Sequence, residues 1–377
     1  MDAVEEKPCA RAGEGDQVVP VPQAADAAQP RIVVLIPARD EEACIEETLD
    51  SIFRQSAAPD RVIVIADNCT DATVDLARAR RAEVLETVGN RDRKAGALNQ
   101  AWRHVADDLN DHDALVIVDA DTLLDRRFCE NAFAHLARSQ RLAAVGGSFT
   151  GRFLDASAPG RFLALLQRME YARYHRAIAR NKGVTGCLSG AGTMFAVGRL
   201  RELETKRGYV WDSTAIIEDF EITLALRHLG YRILSPKNCI IHTDVMASVG
   251  QLWHQRIRWQ RGTLNELRKY GVSRTTAVDY AKQIGLGFAV AARLFLLVGL
   301  ALTLLMYGGI RFDPVWSGLA AILAFERTLT IRRLGLSAML VSSLLVIEMT
   351  YDVFRECFFA RSAWLHFRRA EWRWHAT

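Results

Sequence analysis

The sequence predicts an α/β protein: a doubly wound sheet covered by helices, continued by an interfacial amphipathic helix and C-terminal transmembrane helices. Three observations predict it. Short β-branched runs alternate with helical patterns from residue 31 onward, polar clusters stand where those runs end, and apolar residues concentrate beyond residue 281. The chain has 377 residues, 50% hydrophobic and 24% charged, and its 48 basic side chains against 44 acidic ones leave a net charge of +4. That balance excludes a wholly disordered or collagen-like chain and supplies no concentrated basic face, so nucleic acid is not an expected partner.

Residues 1–30, rich in Ala, Pro, Asp and Gln and without a signal-like apolar stretch, read as a disordered cytosolic tail. Ile32, Val33, Val34, Leu35 and Ile36 form a strand covered on both faces, and Pro37 stops it. Acidic residues then open a helix whose Ile45, Leu49, Ile52 and Phe53 share a face. Residues 62–65 make a second strand, after which Asp67, Asn68, Thr70 and Asp71 favour a turn and a helix cap, with a helix through Leu76. Val84 and Leu85 mark a third strand, residues 94–105 a helix, and Leu115, Val116, Ile117 and Val118 a fourth strand that ends in Asp119-Ala120-Asp121. In such a sheet ligands sit beyond the carboxyl ends of the strands, where these polar clusters lie.

Glu218-Asp219 opens a further helix, with Ile222, Leu226 and Leu229 on one face and Gly230 at its end. The division that follows is a tail at 1–30, an α/β domain at 31–250, an amphipathic interface helix at 251–274 and a membrane region with a basic tail at 275–377. Residues 284–307 contain only Arg293 and Thr303 as strongly polar members. At 1.5 Å per residue they reach roughly 36 Å, enough for a bilayer. Residues 335–351, carrying Glu348, are a second candidate span, and 314–325 read as re-entrant, tilted or interfacial. Two spans keep Arg361, Arg368, Arg369 and Arg373 cytosolic but expose Arg327, Arg332 and Arg333 outside; three spans reverse both. The seven cysteines are scattered and form no C-x-x-C pair, which fits a reducing compartment and gives no disulfide framework or zinc knuckle.

Asp119 and Asp121 point to the same side of an extended chain, where they can bind a divalent cation and leave positions open for a diphosphate. An isolated pair of this kind is more simply a solvated turn. Here Asp67 closes a neighbouring strand, and Arg91, Arg93 and Lys94 precede a helix N-terminus suited to phosphate. A nucleoside diphosphate with a metal is the guest such an edge fits. Glu218 and Asp219 alone need mean no more than acidic residues at a helix start. Asp219, so placed, is expected to be ionised at neutral pH. In residues 251–270, Leu252, Ile257, Trp259 and Leu264 interleave with Arg256, Arg258, Arg261, Arg268 and Lys269, as in an interfacial amphipathic helix.

In order and company these motifs resemble the family 2 glycosyltransferases of the GT-A fold, particularly the processive membrane branch of cellulose, chitin, hyaluronan and poly-N-acetylglucosamine synthases. The resemblance covers residues 31–270. It rests on Pro37-Ala38-Arg39-Asp40-Glu41, the Asp67 turn, Lys94 in Lys-Ala-Gly-Ala-Leu-Asn, Asp119 with Asp121, Ser189-Gly190-Ala191-Gly192-Thr193, Glu218-Asp219 and Gln255-x-x-Arg258-Trp259. It implies that Asp67 contacts the uracil end of the nucleotide, with Ala38, Arg39 and Glu41 beside it. Lys94 and Asp119 would hold nucleotide and diphosphate, and Asp121 a Mn²⁺ or Mg²⁺ ion. His242 would be a further metal ligand or a structural histidine. Asp219 would be the catalytic base, Gly190 would lie near the acceptor, Trp259 would stack on the acceptor's terminal sugar, and Gln255 and Arg258 would close over the diphosphate. Two positions depart from the family: Ile217 replaces the usual Thr before Glu-Asp, and Asp244-Val245-Met246 replaces the acid-x-Pro ahead of the Q-x-x-R-W helix.

The activity implied is inverting transfer of a hexose or N-acetylhexosamine from a UDP-sugar to a saccharide or glycolipid acceptor at the cytosolic membrane face, forming a β-glycoside. Processive elongation, single addition and homo-oligomer formation stay open. The competing readings are a non-processive transferase loading one sugar onto a polyprenyl phosphate, a nucleotidyltransferase releasing pyrophosphate, and a non-catalytic membrane scaffold.

Overall fold

The computed structural model of the chain describes residues 30–153, 157–309 and 314–368. The tail expected at 1–30 lies outside these residues apart from Pro30, as do Arg369 and Arg373. The first half alternates strand and helix: β1 (Ile32–Ala38), α1 (Ile45–Phe53), β2 (Arg61–Ala66), α2 (Thr73–Ala79), β3 (Glu83–Glu86), α3 (Arg93–Val105) and β4 (Ala114–Val118). β3, β2, β1 and β4 lie in that order and run parallel. The apolar runs of β1, β2 and β4 have no polar residue to turn outward, and Val34, Leu35, Ile36, Val64, Ile65, Leu115 and Val116 are all fully buried, whereas the edge strand β3 exposes Glu83 and Glu86. Ala97, Leu98 and Trp102 of α3 cover one face, Leu49 and Ile52 of α1 the other.

The second half comprises β5 (Thr122–Leu124), α4 (Phe128–Leu136), β6 (Leu142–Gly146), β7 (Ser148–Arg152), α5 (Ala158–Arg180), β8 (Gly192–Ala196), α6 (Val197–Arg207), α7 (Glu218–His228), β9 (Arg232–Leu234), β10 (Ile240–Asp244) and α8 (Val249–Tyr270). The sheet continues β4-β8-β6-β9, and β8 is antiparallel to both neighbours, so the doubly wound arrangement expected from the sequence holds only for its first half. Gly192 pairs with Val118, so the chain enters β8 at the edge where β4 leaves and needs no crossover helix. A second sheet, β5-β10-β7, packs beside it. Ser248 caps α8 by accepting from Gln251 N at 3.2 Å, and the Gln251 side chain returns the bond.

Four helices follow: α9 (Ala277–Tyr307), α10 (Pro314–Thr330), α11 (Leu336–Ser343) and α12 (Leu345–Phe367). Among the described residues α9 is the one unbroken helix long and apolar enough to cross a membrane, with a mean hydropathy of 2.3 in its most apolar window and none of that window buried. The candidate span at 335–351 is broken: α11 and α12 meet at 82°. The stretch at 314–325 belongs to a 17-residue helix. α12 runs along α8, with Phe354 5.7 Å from Trp253 and His366 Nδ1 2.9 Å from Asn265 Oδ1.

Candidate active site

β1, β2 and β4 end side by side because their parallel register pairs Ala38 with Ala66 and Leu35 with Ile117. Beyond those ends opens a cavity of about 1640 Å³, lined by Ala38, Arg39, Glu41, Asp67, Lys94, Asp119, Asp121, Gly190, Asp219, Gln255, Arg258 and Trp259. Every site residue expected from the sequence is at this cavity except His242. His242 pairs with Leu123, and its Nδ1 lies 2.7 Å from Thr150 Oγ1. Register explains the exception. Thr243 pairs with Thr122, so continuing that antiparallel pairing by one residue sets Asp244 across from Asp121.

The donor-side loops are fixed by short polar residues. Asp67, buried at 6% exposure, accepts at Oδ1 from Asn68 Nδ2 (2.9 Å), Thr87 Oγ1 (2.8 Å) and Asn90 Nδ2 (2.8 Å). Asp40 and Asn68 turn the chain in the left-handed region, at φ 55° and 56°, and Asp40 Oδ1 accepts from Thr70 N at 2.7 Å, tying the two loops together. No side chain caps α3, and its first-turn residues Arg93, Lys94 and Ala95 line the cavity.

Lys94 connects three elements. Its Nζ lies 2.6 Å from Asp119 Oδ1, 2.8 Å from Glu218 Oε1 and 3.1 Å from the Gly190 carbonyl. Burial works against its charge, but the Asp119 and Glu218 carboxylates outweigh that and raise its pKa. Asp121 has no such cation beside it among the described residues. Burial first, then the Asp119, Glu41 and Asp244 charges, push its pKa up to about 7. Glu41 is raised too, chiefly by burial. Carboxylates crowded this way are an oxygen-only donor set that a hard divalent cation relieves.

Asp219 is a weaker acid than its place at a helix start suggests, yet with a pKa of about 6 it is mostly ionised at neutral pH, in line with its sequence reading. Burial and then the neighbouring Glu218 raise its pKa to about 6, against the Lys94 charge and the Phe220 N–H that favour ionisation. Burial outweighs the helix N-terminus, and Lys94, by ion-pairing Glu218, keeps that neighbouring negative charge in place. The two adjacent carboxyls are thereby driven apart, Glu218 lowered and Asp219 raised. Asp219 accepts from Gly190 N at 3.1 Å and Phe220 N at 2.7 Å. A Cβ on Gly190 would stand 2.9 Å from Asp219 Oδ2, so only glycine permits this approach without a shift.

α8 closes the far side. A Cβ on Gly262 would fall 2.5 Å from Ile217 Cγ1, so the glycine lets the helix settle onto the residue preceding Glu218. Trp259 is 37% exposed and has the Arg256 guanidinium 4.4 Å from its ring centroid, while Arg256 pairs with Glu170 at 3.0 Å. Gln255 is buried, and its Oε1 has no hydrogen-bond partner among the described residues. Sequence reasoning missed Asp244, although the acid-x-Pro remnant marked its position. It also missed Phe149 and Tyr174, which line the cavity with ring centroids 5.7 Å apart and have no motif to announce them.

Fold and site define a glycosyltransferase of the GT-A class. The chain belongs to glycosyltransferase-like family 2, whose family model matches residues 30–262. Over 237 residues it is 27% identical to the poly-β-1,6-N-acetyl-D-glucosamine synthase of Staphylococcus aureus (strain COL), covering 61% of this chain and 54% of that protein. The same enzyme of Staphylococcus epidermidis is 26% identical over 238 residues with the same coverage. The chain thus spans about half the length of these curated relatives. A solved mannosyltransferase of Pyrobaculum calidifontis, in complex with GDP-mannose and Mn²⁺, shares the fold at a TM-score of 0.56 and 21% identity, covering 91% of this chain and 89% of that one.

Proposed function

We propose that the protein is an inverting, cation-dependent glycosyltransferase that moves a hexose or N-acetylhexosamine from a UDP-sugar to a saccharide acceptor at the cytosolic face of a membrane. The observation that carries this reading is the convergence of Asp67, Asp121, Asp219 and Trp259, far apart in sequence, on one cavity. Residues 31–250 are read as the catalytic domain, 251–274 as an interface helix and 275–377 as the membrane region. The Pyrobaculum structure's Mn²⁺ and GDP-mannose support a nucleotide-sugar donor with a divalent cation, and the Staphylococcus enzymes' sugar polymer supports a saccharide product.

Asp67 and the loop at Ala38, Arg39 and Glu41 hold the nucleoside, while Lys94 and Arg258 face the diphosphate. Asp121, with Asp119 and Asp244 beside it, holds Mn²⁺ or Mg²⁺. When bound, the cation neutralises charge on the departing diphosphate. Asp219 takes the proton of the acceptor hydroxyl, a contribution of about 10²–10⁴-fold. Its raised pKa suits that task, since a base is most effective when its pKa lies near the working pH. Trp259, with one ring face against Arg256, offers the other to a sugar, and Gln255 Oε1 is free to accept from a hydroxyl. Attack opposite the leaving group converts an α-linked donor into a β-glycoside.

The test is to incubate membranes containing the protein with a panel of UDP-sugars and Mn²⁺ or Mg²⁺, measuring UDP release and product size. A ladder of lengths indicates a polymerase and one added sugar a single-sugar transferase. Pyrophosphate release, or no release with any donor, would remove the proposal.

A further inference from the structure

We infer that α9 and α10 are the two arms of one hairpin that enters the membrane from the catalytic side and comes back to it, so that α11, α12 and the basic residues around them stand on that side. This rests on the membrane reading above and fixes which helices enter lipid. The ends of the arms are held by named contacts. At the start of α9, Asp279 takes Arg227 of α7 at 2.8 Å, Tyr280 Oη donates to the Leu267 carbonyl at 2.8 Å, and Gln283 lies 2.5 Å from Gln260 of α8. Further along, Arg293 pairs with Glu356 at 2.8 Å and reaches Asp352 at 3.7 Å, both on α12. At the end of α10, Arg327 pairs with the same Asp352 at 2.7 Å and with Glu348 at 2.7 Å, and Glu348 also takes Arg173 of α5 at 2.5 Å. Asp352 therefore joins the two arms, and Arg173 ties them to the α/β domain.

On both arms, away from these anchored feet, large apolar side chains face outward. Phe295, Leu305 and Met306 on α9 are 83%, 82% and 72% exposed, and Val315, Ile322 and Phe325 on α10 are 68%, 67% and 69%. No water-soluble surface leaves two such faces bare, and the occupant that matches them is lipid hydrocarbon. The charges at the feet cannot follow them there cheaply. Asp279, Arg327, Glu348 and Asp352 line the same cavity as Lys94 and Asp219, on the polar side.

The hairpin also resolves a conflict in the charge distribution. With 335–351 as the second span, Arg327, Arg332 and Arg333 lie on the far side; with three spans, Arg361 and Arg368 do. Returning through α10 puts all five on the catalytic side, as the positive-inside tendency prefers. The 82° break between α11 and α12 agrees, since α12 then lies along α8 instead of crossing.

The test uses the full chain with exposed Cys357 changed to Ser, in sealed vesicles of known orientation. Arg333→Cys and the catalytic-domain reporter Ser139→Cys are treated separately with a membrane-impermeant maleimide and read against the Cys357→Ser parent. Modification of both from the same face, with at least tenfold protection from the other, is the expected result. Modification of Arg333→Cys from the face opposite Ser139→Cys overturns the hairpin. Release of the protein by alkaline carbonate would overturn the membrane reading itself, a separate outcome scored by sedimentation before labelling.

Discussion

The α/β domain and the helical region after residue 276 are built inside out relative to each other. In the first, Ile36, Leu115 and Trp102 are buried and ion pairs such as Arg61–Glu83 stand at the surface. In the second, Phe288, Phe295 and Leu305 face outward while Glu348 and Asp279 are 3% and 4% exposed. On the proposed membrane reading, the same physics, apolar groups leaving water, gives opposite patterns because the second region is surrounded by lipid. The cavity lies where the two patterns meet. Its strand-end carboxylates come from the first region, and its continuation past Arg327, Glu348 and Asp352 from the second.

The largest expected effect separates chemistry from folding in the first region. Asp219→Asn should lower sugar transfer by about 10²–10⁴-fold. It should not destabilise the chain. Asp219 has a folded pKa of about 6, above its ordinary value, so its ionised form weakens folding as pH rises through 6. The amide removes that cost but can accept from only one of the Gly190 and Phe220 N–H groups, so the two effects offset and thermal unfolding at pH 7 should stay near that of the wild type. In the second region the same kind of change should act oppositely. Glu348→Ala leaves Arg173 and Arg327 without their shared carboxylate and should cost about 3 kcal/mol in detergent unfolding. Glu83→Ala, breaking an exposed pair in the α/β domain, should cost less than about 1 kcal/mol. Equal costs would break the comparison.

Next in size is the pair across the small sheet. Asp244→Asn should weaken Mn²⁺-dependent UDP binding by about 10–100-fold. His242→Ala should change it less than about twofold, since the imidazole lies at Thr150 away from the cavity. Calorimetry on both variants decides between them. The pH profile is gentler: kcat/KM should rise about tenfold per unit up to a pH near 6 and level off above it, as Asp219 loses its proton. The smallest effect belongs to Gly262→Ala. A methyl there meets Ile217 and pushes α8 outward, and KM for the acceptor should rise more than kcat falls.

Much of this was legible in the sequence, for local reasons. The runs at Ile32, Val62 and Leu115 could only be covered strands, and carboxylates at their ends had to share an edge once those strands were parallel. The order of the motifs carried the rest of the donor side. What the sequence hid depends on pairing between distant segments. The reversal of β8, the placing of Asp244 instead of His242 beside Asp121, and the return of α10 to Arg173 are matters of register and tertiary contact. The raised pKa of Asp219 was hidden for a related reason. Burial raises it first, and then Glu218, whose charge is kept by Lys94, 124 residues away along the chain.

The central claim is that one cavity holds the donor at Asp121 beside a base at Asp219. A calorimetric titration of UDP with Mn²⁺ into the wild type, Asp121→Asn and Asp219→Asn tests it most directly. Cation-dependent binding in the wild type and Asp219→Asn, with loss in Asp121→Asn, is the predicted result. Undiminished binding to Asp121→Asn would contradict it.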